Sequence, residues 1–575
     1  MPTPHVSRRR VLTAAVGVTV AFPIGRAFAQ APAGAERVKA DVCVYGGTSG
    51  GVTAAVALAE MGLSVVLVEP TNHLGGMTSG GLGWIDYKVG EWPVGGLAGK
   101  WIKELKARYK TVGIDTNKIG NAGWVVEPHV AESLFDGWVK AAGDRVRVVR
   151  GARLASAERE GRRVKSVTFD KAPPDRRGAP SAQATEPGFL TVEAAVFIDC
   201  SYEGDLLAAA GVTTRSDREG SAEYGESAAG LRFQKVHEFG ENVPVIDAYV
   251  RPGDASSGLI PLVSGARLGE VGAPSPVLQA YNFRLCLVTK DPIPVAAPEN
   301  YDAKRFEVLA RLIAAQAATG KPFTPADFHR GPWRLLKISP LPRGKTDVNN
   351  AGAVSMDFVG GGAERYAKAT WAERGEIWRA HEDYQRGMLY FLRTDERVPA
   401  AVRAEVAKWG LPRDEFKDTG GWPSQLYVRE CRRMVGQRVM RQADCEKAPA
   451  TLPDAVGLGV YSLDSHGCQR VAVDGKVVHE GGFMVRIPGP YPIPYGAITP
   501  KAEECENVLA TFCVSSTHVA FASLRMEPQL MVLSESAAHA AHLAIADGTN
   551  VQAVSAEKLR KRLLDAGQVL EARKG

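Results

Sequence analysis

Apolar and polar positions follow two different periods along the first third of this chain, and the switches between them mark out its elements. A short apolar run around Val42 and Val44 reads as a buried strand, and it breaks at Gly46, Gly47, Gly50 and Gly51. Small residues at helical spacing then occupy 52–61, and Gly62 is placed to end a helix in the left-handed region. Residues 64–68 form a second apolar strand, closed by Glu69. Helical spacing returns at 101–109 and 127–142. Short strands follow at 145–149, 152–159, 164–169 and 189–196, which together read as a β-meander. The Pro/Ala/Gly-rich stretch 172–187 interrupts them and is predicted to be exposed and mobile. A further apolar strand, 196–199, runs into Cys200-Ser-Tyr-Glu-Gly-Asp205 and a helix.

From about residue 215 to residue 422 the pattern changes. Two long helical stretches, 301–319 and 370–393, dominate; the second carries Trp371, Trp378, Tyr384, Met388 and Phe391, a stripe read as packing. Between them lies the polar, glycine-punctuated run from Lys345 to Asp357. Gly360-Gly361-Gly362 has no strand before it and no strand ending in an acid after it, and is read as a turn. A strand at 459–463, a polar turn Asp464-Ser465-His466-Gly467 and a small-residue helix reaching Ala546 complete the pattern.

Strand, glycine turn, helix, strand and acid, in that order, describe a dinucleotide site. Amides left free at the helix N-terminus hold a pyrophosphate, with the helix dipole behind them. Glu69, eighteen residues past Gly51, stands where a carboxylate accepts a ribose hydroxyl, and its charge disfavours a 2′-phosphate. In G-x-G-x-x-G register the three positions are Gly46, Thr48 and Gly51, so a threonine takes the slot that usually holds the second glycine. Valine at Gly46 or Gly51 is expected to place methyl groups where phosphate oxygens sit.

The N-terminus carries different information. Ser7-Arg8-Arg9-Arg10 precedes an apolar run over 11–22, and Ala27-Phe28-Ala29 has the small-x-small form of a cleavage site. The paired arginines look like a twin-arginine signal, an export route for folded proteins, with an ordinary arginine-rich secretory signal as the alternative, and a periplasmic mature protein is expected. The apolar run is too short to span a bilayer, so no integral membrane segment is expected once the signal is removed. At 575 residues the chain exceeds what one core usually supports. Four of the charges in its net +6 (Arg8, Arg9, Arg10 and Arg26) belong to the export segment, and the remaining +2 or so gives no footprint for nucleic acid. The eight cysteines show no C-x-x-C spacing, so neither a dithiol centre nor a zinc site is expected, and no metal is assigned.

Beyond Glu69 and Pro70, the loop His73-Leu-Gly75-Gly76-Met77-Thr78-Ser-Gly-Gly-Leu-Gly83 makes the chain resemble FAD-dependent oxidoreductases of the glutathione-reductase structural type, in their exported, xanthan-lyase-like group. The resemblance continues at Asp199 to Asp205, at 427–436, at 459–466, at 491–501 and at Arg525-Met-Glu-Pro528. It implies FAD as cofactor, cradled by Gly46, Gly47, Thr48, Ser49, Gly50 and Gly51. Glu69 and Pro70 would then serve the ribose, Gly75, Gly76, Met77 and Thr78 would wrap the pyrophosphate, and Asp199, Gly204 and Asp205 would close the adenosine side. Arg525 would stand at the start of a helix aimed at the flavin pyrimidine edge. Two departures stand out: Tyr202-Glu203 in small-residue slots, and Ala537-Ala538-His539 where a glycine is usual. A covalent flavin bond at His73 is the lesser alternative to an ordinary loop histidine.

The fold expected is α/β: a discontinuous Rossmann-like FAD-binding domain with an inserted α+β substrate domain. The boundaries are a signal over 1–29, a linker over 30–37, FAD-binding parts over 38–214 and 425–548, a substrate domain over 215–424 and a C-terminal helix or tail over 549–575. The function expected is hydride removal from a small polar metabolite, a sugar derivative among the options, with O2, a quinone or a cytochrome as the open choice of electron acceptor. A redox-neutral lyase or isomerase, and a non-catalytic FAD carrier, are the alternatives. His466 is the candidate base, oriented by Asp464 or Ser465; Tyr495 and Arg432 are the other catalytic candidates, with Arg432 and Arg433 to hold an anionic or polyhydroxylated substrate.

Overall fold

A computed structural model describes residues 35–86, 94–120, 124–233, 239, 243–330, 334–447, 449 and 451–572. The export segment and residues 30–34 lie outside them. Strands β1 (Glu36–Tyr45), β2 (Val65–Glu69) and β3 (Val146–Arg150) run parallel, in the order β3-β2-β1, and β1 pairs in parallel along most of β6 (Glu186–Asp199). Buried on both faces, the ends of β1 and β2 read as continuous apolar runs, Val42-Cys-Val-Tyr45 and Val65-Val-Leu-Val68. The sequence divided β6 into two strands. It is one, because its register with β1 holds from Glu36 opposite Leu190 to Tyr45 opposite Asp199. On its other side, the first half of β6 pairs antiparallel with β5 (Arg163–Lys171), itself paired with β4 (Ala152–Glu160). The last residues of β6 pair in parallel with Val508–Ala510. The carboxyl ends of β1 and β6 therefore come out side by side, the place where ligands bind open α/β sheets.

Helix α1 (Ser49–Glu60) leaves the glycine turn at that edge. Against it packs the long helix Glu527–Asp547, whose Leu530, Leu533, Ala537, Ala538 and Ala541 are buried. Gly50 makes the approach: a Cβ there would lie 2.3 Å from Ser534 Oγ. The alanines thus give the close contact that the missing glycine at 539 put in question. Helices α2 (Gly96–Thr111) and α3 (Pro128–Ala142) complete this core with Trp101, Leu105, Phe135 and Trp138.

A second core gathers Phe283, Phe306, Leu309, Tyr384, Phe391 and Trp422, under the helices Glu307–Ala318 and Trp371–Thr394. Thr370 and Glu373 form a capping box on the longer helix. Trp378, Tyr384, Met388 and Phe391 are fully packed, as the stripe implied. The stretch 172–187 departs from expectation. Arg177 pairs with Glu382 at 2.6 Å and with Asp383, and Asp175 with Arg379 at 3.0 Å, so charges pin the loop to the long helix. All eight cysteines are buried and unpaired. No helix among the described residues is long and apolar enough to cross a membrane.

The glycine turn corrects the reason given for its glycines. A Cβ at Gly51 would lie 1.8 Å from the Gly46 carbonyl oxygen, and one at Gly46, whose φ is +96°, 2.7 Å from the backbone of Cys200 and Ser201. The obstacle to a side chain is the protein's own backbone, whether or not a phosphate is bound. Gly51→Ala should therefore destabilise the FAD-free protein by about 1–3 kcal/mol, the usual cost of overpacking. Denaturant unfolding of the apoprotein measures it, and an unchanged midpoint would return the role of Gly51 to ligand contact.

Candidate active site

Thr48 occupies the irregular glycine slot as the N-cap of α1. Its hydroxyl accepts from the Gly51 amide at 3.1 Å and donates to the Cys200 carbonyl at 2.9 Å. The Val52 amide bonds the Thr48 carbonyl, and Thr48 bridges Gly75 in parallel, which leaves the first-turn amide of Gly50 without a protein acceptor among the described residues. Glu69 is buried and accepts from the amides of Gly47 at 2.6 Å and Thr71 at 2.7 Å. Burial pushes its carboxyl above the ordinary value, against those hydrogen bonds. Pro70, half-buried, turns the chain away. Gly75 and Gly76 take positive φ and fold the next loop back over the first, the Gly75 amide bonding the Gly47 carbonyl at 2.8 Å.

Asp199 does not face outward. It accepts from the amide and hydroxyl of Ser201 and from the Leu207 amide, and burial lifts it to about 6. Gly204 sits in the left-handed region, where a Cβ would meet Cys513 Sγ at 2.8 Å. Asp205 is fully engaged by Arg374 (2.6 and 2.8 Å) and Arg432 (2.7 Å). These three residues build the turn after β6.

The start of helix Glu527–Asp547 meets the start of α1. Glu527 accepts from Ser49 Oγ at 2.6 Å and Thr78 Oγ1 at 3.0 Å through one oxygen, and from the Tyr202 hydroxyl at 2.7 Å through the other. Tyr202 in turn accepts from the Met77 amide at 2.8 Å. The tyrosine in a small-residue slot is thus part of one buried cluster with Ser49, Met77 and Thr78. Burial raises the Glu527 carboxyl above its ordinary value, against its three hydroxyl donors. Nearby, Arg525 Nε and both amide atoms of Gln529 are buried without a hydrogen-bond partner among the described residues.

Beside Glu527 lies a narrow void bounded by Leu82, Tyr427, Arg429, Arg525 and His466, and next to it, sharing Asp86, Asn349, Tyr461, Asp464 and His466 in its lining, a cavity of about 200 Å³. His466 lines both. It lies within the strand Leu463–Val473, not in a turn, and its Nδ1 is 2.6 Å from Asp357 Oδ2. Asp357, not Asp464 or Ser465, orients it. Asp464 faces Tyr461 and Arg525, and Ser465 Oγ faces His518 Nε2 at 3.2 Å. Arg429 and Asn282 donate to the other Asp357 oxygen, each at 2.8 Å. Despite burial, Arg429 and His466 hold Asp357 well below the carboxylate range. Burial and the charge of Arg429 push His466 below its ordinary value, against Asp357. A neutral imidazole results, its Nδ1–H given to the carboxylate and its Nε2 left for a ligand.

The other two catalytic candidates stand elsewhere. Tyr495 is buried in the first core, donating to the Val551 carbonyl at 2.7 Å. Arg432 is spent on Asp205 and on the carbonyls of Glu203 and Ala367. Neither lines the cavity. His73 has both nitrogens engaged, by Glu132 at 2.8 Å and Asp418 at 2.9 Å, and these carboxylates lift it to about 9 against the effect of burial. A histidine so occupied is no flavin anchor.

The sequence model for the family described as "FAD dependent oxidoreductase" matches residues 41–563. The chain belongs to this FAD-dependent oxidoreductase family. No curated protein matches it. Among solved structures, the OxyS anhydrotetracycline hydroxylase from Streptomyces rimosus aligns at 13% identity over 36% of this chain and 42% of its own, with a TM-score of 0.21. The L-amino acid deaminase from Proteus vulgaris aligns at 19% over 34% and 57%, with a TM-score of 0.20. CabE, an aromatic hydroxylase from angucycline biosynthesis, aligns at 17% over 41% and 45%, with a TM-score of 0.21. The chain thus spans about half the length of these proteins, or less, and the family assignment rests on the sequence match alone.

FAD is this FAD-dependent oxidoreductase's cofactor, and the residues present fit it. The free Gly50 amide at the start of α1 and the acid Glu69 supply what a diphosphate and a ribose need. The orphaned polar atoms of Arg525 and Gln529 stand at the helix terminus that the family aims at the flavin. One residue opposes the fit: the Glu527 carboxyl hangs on Ser49, at the anion-binding end of α1. Sequence reasoning missed Asp357, Tyr202 and Glu527 as functional residues. Asp357 had a signal, since it closes the polar run from Lys345 in an otherwise apolar region.

A diphosphate beside Glu527 favours its neutral form, so binding of FAD should take up a proton. Affinity should then fall as pH rises above the raised value of Glu527, by up to tenfold per pH unit. Titration of apoprotein with FAD from pH 5 to 9 reads this. In Glu527→Gln the slope should vanish, with binding at pH 8 no weaker than in the parent.

Proposed function

We propose that this protein is a periplasmic FAD-dependent dehydrogenase or oxidase that takes a hydride from a small polar metabolite held in the His466 cavity. The observation that carries the reading is the part-buried His466–Asp357 pair, 2.6 Å apart, in the lining of a polar cavity and, through His466, of the neighbouring void that Glu527 also lines. Bound FAD supplies a two-electron acceptor. The chain's own residues do the rest. Asp357 fixes the tautomer and orientation of His466, Arg429 and Asn282 hold Asp357, and His466 Nε2 takes the proton from the substrate O–H or N–H as the adjacent C–H bond is cleaved. Burial of the pair keeps water from competing for that nitrogen. The small cavity suits a compact metabolite, and its lining of Asn349, Asn350, Asp86 and Asp464 suits a polar one.

Anaerobic stopped-flow bleaching of the flavin, screened over small metabolites, tests the reaction. With a substrate in hand, His466→Ala should slow reduction by about 10²–10⁴-fold, the usual contribution of a general base. Because the base works only when neutral, the rate should rise with pH through a limb below the ordinary imidazole value. Asp357→Asn should move that limb further down, since Asp357 is what raises His466. A loss under about threefold in His466→Ala at full FAD content, far below that range, would place the proton acceptor elsewhere.

Export rests on the twin arginines. Replacing Arg8 and Arg9 by lysine keeps the charge yet should abolish export if the twin-arginine route is used. Normal export of the lysine pair, read by cell fractionation, would assign another route.

A further inference from the structure

The cavity beside His466 holds a cation with no acid to answer it. Arg470, four residues further along the same strand, is only 3% exposed and lines the cavity. Its Nε donates to His479 Nε2 at 2.9 Å and its Nη2 to the Ala353 carbonyl at 3.2 Å, while Nη1 is buried without a hydrogen-bond partner. The guanidinium also faces the Tyr384 hydroxyl, which burial keeps neutral and which donates to the Ser355 carbonyl. No carboxylate forms an ion pair with Arg470 among the described residues. The acids that reach the cavity are already committed: Asp357 to Arg429 and His466, Asp464 to Arg525, and Asp86 to Lys337. The lining carries three carboxylates and three cations, and because Asp357 and Asp464 also answer Arg429 and Arg525 behind it, Arg470 and the exposed Arg334 at the rim are the two without an acid among the described residues.

A buried guanidinium with no carboxylate partner among the described residues is costly to a fold, and a planar fork of donors matches a carboxylate in two parallel hydrogen bonds. We propose that Arg470 is the receptor for a carboxylate on the substrate, and that the protein oxidises small carboxylic acids bearing a hydroxyl or amino group. This rests on the reading of the His466 cavity as the place of reaction. Arg470 holds the acid end, and His466, on the same strand and lining the same cavity, takes the proton from the O–H or N–H at the other. The proton goes to His466 Nε2, and the hydride from the neighbouring carbon to bound FAD. Those two transfers turn the alcohol or amine carbon into a carbonyl or imine and leave the carboxylate unchanged.

Calorimetric titration of the holoenzyme with malonate, and with the size-matched neutral malonamide, tests the receptor without needing turnover. Malonate should bind saturably and malonamide at least tenfold more weakly. Arg470→Met should lose at least tenfold in malonate affinity at unchanged FAD content, and Arg470→Lys should lose less. His466→Ala should bind malonate like the parent, which separates failure of the receptor from failure of the base. Equal affinity for the two probes in the parent, no malonate binding, or parent-like binding in Arg470→Met would each overturn the proposal. The comparison of acid with amide needs no variant, so it decides the matter even if Arg470→Met does not fold.

Discussion

The nucleotide half of this protein depends on how closely two stretches of backbone approach at the carboxyl edge of the sheet. Gly51 lies against the Gly46 carbonyl, and Gly46 against the Cys200–Ser201 peptide, at distances where only hydrogen fits. The contact lets Thr48 reach the Cys200 carbonyl and Glu69 reach the Gly47 amide. Three segments far apart in sequence, the β1 turn, the end of β2 and the end of β6, are thereby held in one hydrogen-bonded knot. Buried bonds of this sort contribute about 1 kcal/mol each, but losing one partner costs more, because the other is left unpaired out of reach of water. The direction in which α1 presents its first-turn amides follows from that knot.

Buried ion pairs fasten the second core to the first. Asp205, at the end of the β6 turn, is shared by Arg374 from the long helix and Arg432 from the later segment. Arg433 lies between Glu219 and Glu430, Arg218 against Glu480, and Arg284 against Asp347. Such pairs add little net stability against an apolar packing of equal volume, yet breaking one costs about 3–5 kcal/mol. They act as registration marks. Arg218–Glu480 anchors the hairpin that carries His466 and Arg470, and Arg429–Asp357 sets the carboxylate that orients the histidine. The same economy of paired charge is what makes Arg470 stand out.

Glu527 shows how a fold can carry its own competitor. A carboxyl bound by three hydroxyls stands at the mouth of α1, where the positive end of that helix favours an anion. The carboxyl takes hydroxyls and no backbone amide of the helix, so the first-turn Gly50 amide stays free beside it among the described residues.

Much of this was legible in the chain. The switch of period from strand to helix, the four glycines and the acid at Glu69 determine a local βαβ unit, because each depends only on neighbours in sequence. His466 stood out by its type and its polar surroundings, and the aromatic positions of 371–391 read as packing from helical spacing alone. The partners of those residues were not legible. Asp357 meets His466, Glu527 meets Ser49, and Arg432 and Tyr495 turn away from the cavity, through contacts between segments up to 478 residues apart. Local propensity carries no record of such pairings. Likewise Gly46 and Gly51 announced a close approach, but only the tertiary structure decided that what approaches Gly51 is the Gly46 carbonyl, and what approaches Gly46 is the Cys200–Ser201 peptide just past β6. A sequence specifies which backbone conformations and side-chain chemistries are available; which buried charge is answered, and which is left for a ligand, is settled only when the whole chain has packed.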